Sequence, residues 1–244
     1  MYPVFFRISG FEITSFGAMV ALGALVGLWI FRRELRRSKL PENAADAALA
    51  GIFGGMAGAK LLWVTEHFGE APFTELLFSR GGMSWFGGFA GGLLAGVVVM
   101  RLRGLPVIPV LSAATPALTI GHAIGRVGCL LVGDDYGRPT DLPWGIAFPE
   151  GLPPTFEVVH PTMIYEALAL IPLAWVLIRA RAREVPDRIV LGGYLASAGL
   201  IRFAVEFLRI NERVVGPLSV AHVAALVAVA AGGSLLVTRR EPRT

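Results

Sequence analysis

Arg126 stands inside an apolar stretch, Gly121 to Gly137 (GHAIGRVGCLLVGDDYG), of a chain in which 55% of residues are hydrophobic and 16% are charged. A guanidinium in hydrocarbon costs about 3 kcal/mol on insertion scales and roughly 10 or more for an isolated helix, so it is retained where it meets a wet cavity, a counter-ion or an anionic ligand. A second arginine of this kind, Arg202, lies in LGGYLASAGLIRFAVEFLR, with Glu206 four residues on and Arg209 three further. That spacing places Arg202 and Glu206 on one helix face, where the acid holds the arginine ready. Two guanidinium groups converging on one cavity form a clamp for phosphate, which arginine binds through paired N–H donors. At that depth the phosphate at hand is the head group of an anionic phospholipid.

The neighbours of Arg126 carry chemistry of their own. His122, one turn earlier, reads equally as a general base or as a hydrogen bond between helices. Cys129, the single cysteine, invites a covalent mechanism, although free cysteine is also a small apolar packing residue. Asp134 and Asp135 lead the chain out of the segment. Further on, in HPTMIYEA, Glu166 opens a helix where a carboxylate suits the positive end, Pro161 suits the first turn, and His160 reads as a cap or a water-facing hydrogen bond. The four histidines (67, 122, 160 and 222) have no ligand spacing, so no metal site is expected. One cysteine excludes a disulfide framework.

These residues must be positioned by membrane helices. A mean hydropathy of +0.64 is far from that of a soluble domain. About 20 apolar residues span a bilayer as helix, and seven such segments can be marked, at 13–31, 44–64, 84–100, 107–132, 161–178, 189–208 and 218–237. The expected fold is therefore all-α and polytopic, one integral membrane domain over residues 1–244. Arg32, Arg33, Arg36, Arg37, Lys39, Arg101, Arg103, Arg179, Arg181, Arg183, Arg188, Arg239, Arg240 and Arg243 fall on one side. Arg7, Arg80, Arg138, Arg209 and Arg213 fall on the other. The positive-inside rule then puts the N-terminus outside and the C-terminus in the cytoplasm. The net charge of +4 sits in short loops, as topology signals do, and not on a nucleic-acid-binding face. The N-terminus, MYPVFFRISGFEI, lacks the layout of a cleavable signal peptide.

Three further stretches bear on the design. The loop 134–160, rich in proline and aromatics, faces outward in this topology and is long enough to serve as a lid or re-entrant segment. Gly88, Gly92 and Gly96 recur every four residues, which predicts a close helix contact. Lys60, near the outer end of the second span, reads as a snorkelling side chain.

The motifs GGMSW (81–85), GRVG (125–128) with Gly133, Asp134 and Gly137, HPTMIYE (160–166) and RFAVEFLR (202–209), in this order, resemble those of the prolipoprotein diacylglyceryl transferase family across nearly the whole chain. The resemblance implies a bacterial inner-membrane enzyme. It would take the diacylglyceryl group from phosphatidylglycerol, join it by a thioether to the cysteine of a lipoprotein precursor's signal peptide, and release glycerol phosphate, with no metal or nucleotide. Arg126 and Arg202 would hold the phosphate and Glu206 would orient Arg202. Cys129, His160, Tyr165, Glu166 and Arg209 would complete the signature, and Asp134 stands in for a glutamate. Where the family usually has an aromatic residue followed by a histidine, this chain has Trp85 and Phe86; Cys129 replaces an asparagine; Phe16 and Ala198 replace tyrosines. Phe86 cannot take a proton, which leaves His122 as the best-placed base. Another acceptor, or a non-catalytic lipid-binding or assembly protein, is the alternative. The odd number of spans and the lack of an inverted repeat argue against a transporter.

Overall fold

The computed structural model describes residues 2–8, 11–79 and 82–237. Arg80, Gly81, Arg239, Arg240 and Arg243 lie outside the described residues. In chain order the elements are β1 (Val4–Ile8), β2 (Phe11–Thr14), α1 (Ser15–Arg37), a 3-10 turn (Glu42–Ala44), α2 (Ala45–Glu66), α3 (Phe73–Phe78), α4 (Trp85–Leu102), α5 (Val107–Val132), β3 (Ile146–Phe148), β4 (Thr155–Val159), α6 (Thr162–Ala182), α7 (Asp187–Glu206) and α8 (Val220–Val237). Six helical segments, α1, the 3-10 turn with α2, α5, α6, α7 and α8, are long and apolar enough to cross a membrane. The chain is thus a multi-pass membrane protein. The expected span at 84–100 forms α4, a shorter apolar helix.

Helix ends differ from the apolar limits for local reasons. α1 runs through Arg32–Arg37, because arginine and glutamate are good helix formers and cations suit a helix C-terminus; the chain turns at Lys39, whose φ is +54°.

The chain divides into two compact units, Arg32–Val110 and Met1–Phe31 with Leu111–Thr244. In the first, α2 and α4 pack through glycine, as the repeat at 88, 92 and 96 predicts. A Cβ on Gly55 would lie 3.2 Å from the Gly88 carbonyl oxygen, one on Gly92 2.9 Å from that of Gly51, and one on Gly96 3.4 Å from that of Ala47. Lys60 is held by local partners. Its ammonium folds back onto the connection before α4, donating to the Ser79 carbonyl (2.9 Å) and hydroxyl (2.8 Å) and lying 4.7 Å from the centre of the Trp63 ring. Local acceptors and an aromatic face hold the charge.

The second unit holds Arg126 and Arg202. α6 packs against α7, and α7 against α8. The α7–α8 contact is close because a Cβ on Gly192 or Gly199 would meet the carbonyl oxygens of Gly232 or Ala225 at 2.9 Å. On α5 the glycines divide by face. Gly121 approaches the backbone of Gly23 and Gly128 approaches Phe16 and Met19, while Gly125 has open space beside it. Packing on α1 thereby leaves the adjacent stripe of α5, His122, Arg126 and Cys129, for other uses. The loop 134–160 folds as an antiparallel β3–β4 ribbon, with an isolated bridge from Pro139 to Val159. It forms an extended strap between α5 and α6.

Gly92→Val should lower the melting temperature in detergent, since overpacking a tight contact costs about 1–3 kcal/mol. Gly193→Ala, where a Cβ meets nothing within 4 Å, should leave it unchanged or raised by the roughly 0.5–1 kcal/mol that alanine gains over glycine in a helix. Equal losses in both variants would show that the α2–α4 contact is not tight.

Candidate functional site

α5 ends at Val132, and Gly133 caps it in a left-handed conformation (φ +73°), with the Gly133 and Asp134 N–H groups donating to the Cys129 carbonyl. Asp135 is left-handed too (φ +60°), a conformation that aspartate tolerates better than most residues. The turn is fastened by Thr162 Oγ1, which donates to the Asp135 carbonyl at 2.6 Å, and by the Tyr136 hydroxyl, which donates to the Pro153 carbonyl at 2.8 Å. Gly137 then passes so close to the Leu208 carbonyl, Thr162 and His160 that a Cβ has no room, and it bridges to Arg209. The Asp135 carboxylate is thereby carried between α5 and the end of α7.

Three arginines and three carboxylates meet there in a closed ring. Arg126 Nε lies 3.0 Å from Glu166 Oε2, and the same oxygen is 3.4 Å from Arg202 Nη1. Arg202 Nη2 is 2.7 Å from Glu206 Oε2, which is 3.6 Å from Arg209 Nε. Arg209 Nη2 donates to Asp135 Oδ1, and Asp135 Oδ2 returns to Arg126 Nη1 at 2.7 Å. Glu166, Glu206, Arg126 and Arg209 are buried, whereas the Arg202 side chain keeps 23% of its surface. Each charge in the ring has two opposite partners, the condition under which ion pairs persist away from water. Arg209 Nε and Nη1 are buried and make no hydrogen bond among the described residues.

Asp135 is held down to about 2. Burial opposes its ionisation, but the hydrogen bond and charge of Arg209, with those of Arg126, outweigh it. Its neighbour Asp134 is pushed up by burial and by the Asp135 charge, and Asp134 Oδ1 has no hydrogen-bond partner among the described residues.

Arg126 and Arg202 converge as expected, and the Arg202–Glu206 pair forms along one helix face. His122 is also in place, its Nε2 3.3 Å from both Arg126 Nε and Glu166 Oε1, with its side chain 39% exposed. Cys129 packs with Tyr136, Phe148, Val159 and Met163, yet its thiol is also 3.8 Å from Arg126 Nη1 and 3.9 Å from Asp135 Oδ2. Cys129 Sγ and the Asp134 and Asp135 carboxylates lie within 4.8 Å of one another. Both oxygens of Asp135 already take guanidinium groups, so a cation there would face two like charges.

His160 is not a helix cap. Pro161 precedes α6 without a side-chain cap, and the His160 ring meets the Tyr165 hydroxyl at 3.2 Å. Burial and the Arg138 charge push His160 down. Trp144 Nε1 donates to that same hydroxyl at 2.8 Å, pinning the β-ribbon strap to α6. These side chains, with Leu142, Pro161, Ile164, Leu168 and Leu208, line an apolar cavity of about 500 Å3. Of the departures from the motifs, Phe16 lies in the first turn of α1 beside Gly128, Ala198 lies within α7, and Phe86 is a partly exposed residue in the first turn of α4.

The sequence reading placed Glu166 at a helix end and Asp135 in a loop. Both are central. Glu166 lies along the chain between the two intramembrane arginines, Arg126 and Arg202, and buried arginines need acids.

A family model described as prolipoprotein diacylglyceryl transferase matches residues 3–238. The chain is 36% identical over 229 residues to a phosphatidylglycerol–prolipoprotein diacylglyceryl transferase of Geobacter sulfurreducens, covering 89% of this chain and 85% of the relative. A protein of the same description from Methylobacillus flagellatus is 32% identical over 233 residues, covering 89% and 87%. Another from a Nostoc species is 29% identical over 257 residues, covering 98% and 91%.

The ring's acids give a pH signature. The depressed Asp135 contributes stability that is present above its ordinary value of 3.8 and lost as pH falls toward about 2. Asp135→Asn should melt lower than the native protein at pH 7, and the difference between the two should shrink between pH 4 and 2. A constant difference across that window would place the stabilisation elsewhere.

Proposed function

The chain belongs to the prolipoprotein diacylglyceryl transferase family, and from that premise we propose that it moves a diacylglyceryl group from phosphatidylglycerol to a cysteine thiol of a lipoprotein precursor. The observation that carries this reading is the shared Glu166 oxygen, 3.0 Å from Arg126 and 3.4 Å from Arg202. It brings the two guanidinium groups to one point. In the reaction a thiolate attacks the glycerol carbon that bears the phosphate ester. A C–S bond forms, the C–O bond breaks, and glycerol phosphate leaves with the electron pair.

Charge therefore grows on phosphate as the bond breaks, and preorganised donors in a water-poor site act most strongly on charge that develops there. Arg126 and Arg202 supply those donors, and the unpartnered Arg209 Nη1 adds a third. The ring holds them without reorganisation, because carboxylates hold Nε and Nη1 of Arg126, Nη1 and Nη2 of Arg202 and Nη2 of Arg209. A thiol ordinarily titrates near 8.5, so a base speeds the attack. His122 fills that role. Arg126 Nε donates to His122 Nε2 at 3.3 Å, so the neutral imidazole carries its proton on Nδ1 and the lone pair that takes the thiol's proton is on Nε2, beside Arg126 and Glu166. This proton route explains how the chain can work with Phe86 where a histidine is usual. Glu206 orients Arg202; Cys129, Gly133, Asp134, Gly137, His160 and Tyr165 shape the turn and strap around the ring. The apolar cavity lined by Trp144, Ile164, Tyr165 and Leu168 suits the hydrocarbon part of a lipid.

The chain reads best as one integral domain of seven spans in the bacterial inner membrane, with α4 as the seventh. The clustering of arginine between alternate helices supports an outside N-terminus, a cytoplasmic C-terminus and an outward 133–160 stretch.

Purified protein incubated with phosphatidylglycerol and a lipobox peptide should yield the thioether product and glycerol phosphate by mass spectrometry. Arg126→Ala and Arg202→Ala should each lower kcat by about a hundredfold or more, the scale for removing one such donor. Turnover retained in both would reject the clamp. His122→Asn should lower kcat by roughly 100-fold, the range for general-base catalysis, and the loss should narrow as pH approaches the thiol's own ionisation. A pH-independent loss would assign His122 to packing.

A further inference from the structure

Glu206 has a second oxygen that the arginine ring does not use. Oε1 accepts from Ser219 Oγ at 2.6 Å and from Asn211 Nδ2 at 2.7 Å. Neither donor belongs to α7. Asn211 lies in the segment after it, and Ser219 immediately precedes α8. Glu206 is fully buried and Ser219 nearly so, whereas Asn211 is half-buried, and a carboxylate oxygen left bare at such a place is expensive.

Ser219 is itself locked in place. Its hydroxyl oxygen accepts from the His222 backbone N–H at 3.4 Å, while its own backbone N–H donates to His222 Nδ1 at 3.1 Å. This reciprocal pattern is that of a capping box, with histidine in the position usually held by glutamate. Arg213 Nη1 also reaches His222 Nδ1, at 3.4 Å. A backbone N–H and a guanidinium can only donate, so Nδ1 must be the acceptor and the imidazole is neutral with its proton on Nε2. The ring is packed edge-on against Phe203 and Phe207. With its lone pair on Nδ1 engaged, His222 leaves the Ser219 hydroxyl proton free to point at Glu206.

We propose that Asn211 and Ser219, the latter set by the S-x-x-H capping box of α8, are positioning residues for the transfer reaction: they clamp Glu206 by Oε1 so that Oε2 alone faces Arg202 and Arg209. The consequence is a fixed guanidinium plane at Arg202, the most open of the three arginines in the ring. Without the two donors, Glu206 is free to rotate or to turn both oxygens on Arg202, and the alignment toward the leaving phosphate is lost. The inference rests on the proposed transfer reaction for its kinetic readout, and on geometry alone for its binding readout.

The test uses the full chain in phosphatidylglycerol mixed micelles with a lipobox peptide. Ser219→Ala and Asn211→Ala should each lower kcat by about ten- to a hundredfold, the range for one hydrogen bond to a charged group, with a smaller change in KM. Ser219→Thr, which keeps the hydroxyl, and His222→Asn, whose side-chain oxygen takes the place of Nδ1, should each stay within severalfold of native. Should Ser219→Ala fail to fold, Asn211→Ala carries the test alone. Native kcat in the alanine variants, or an equal loss in Ser219→Thr and Ser219→Ala, would overturn the positioning role while leaving the transferase reading intact. Should the native protein transfer nothing, phosphatidylglycerol retention in native mass spectrometry decides. Loss of retained lipid in Ser219→Ala to the level of Arg202→Ala upholds the clamp on Glu206 and removes the transfer reading, whereas unchanged retention, or none in the native protein, removes both.

Discussion

Six charges closing on one another in a poorly hydrated interior are the condition on which this fold depends. A lone guanidinium or carboxylate at such depth would be expelled or neutralised, and a single pair recovers only part of its lost hydration. In the ring each arginine lies between two acids and each acid between two arginines, so no member is left uncompensated. The arrangement is also indivisible. Removal of any one member strands two others, which makes coupled effects the expectation for changes here.

The rest of the second unit can be understood as what that closure requires. Four separate pieces of chain must deliver charges to one point: the last turns of α5, the turn at Asp135, the start of α6, and the end of α7 with the residues just beyond it. Glycine makes the delivery possible twice. On α5 it thins the face toward α1, and at Gly137 it lets the turn slide between the end of α7 and the start of α6. The β-ribbon strap, pinned by Trp144 on Tyr165, fixes the far side of the same turn.

Much of this was legible in sequence, and the limit is physical. Helices announce themselves by apolar runs, and the Arg202–Glu206 pair by its four-residue spacing, because both are local. Arg126 and Arg202 stand out because charge in such a run is costly. The roles of Glu166, Asp135 and Asn211 were not legible, since each depends on partners 9 to 74 residues away along the chain or on a bend that only tertiary packing sets. Glu166 follows ordinary helix-end preferences and so read as a local feature. His222 looked like one of four scattered histidines, although its spacing from Ser219 carried a capping signature. The strap at 134–160 was recognisable as a long loop, but its pairing depends on register between short strands that composition does not reveal.

The capping box at the start of α8 has a consequence for biogenesis. The hydroxyl that satisfies Glu206 arrives with a helix made after α5, α6 and α7, so a chain that ends with α7 lacks both donors to Oε1, and the buried carboxylate takes its full set of hydrogen bonds only once α8 is made.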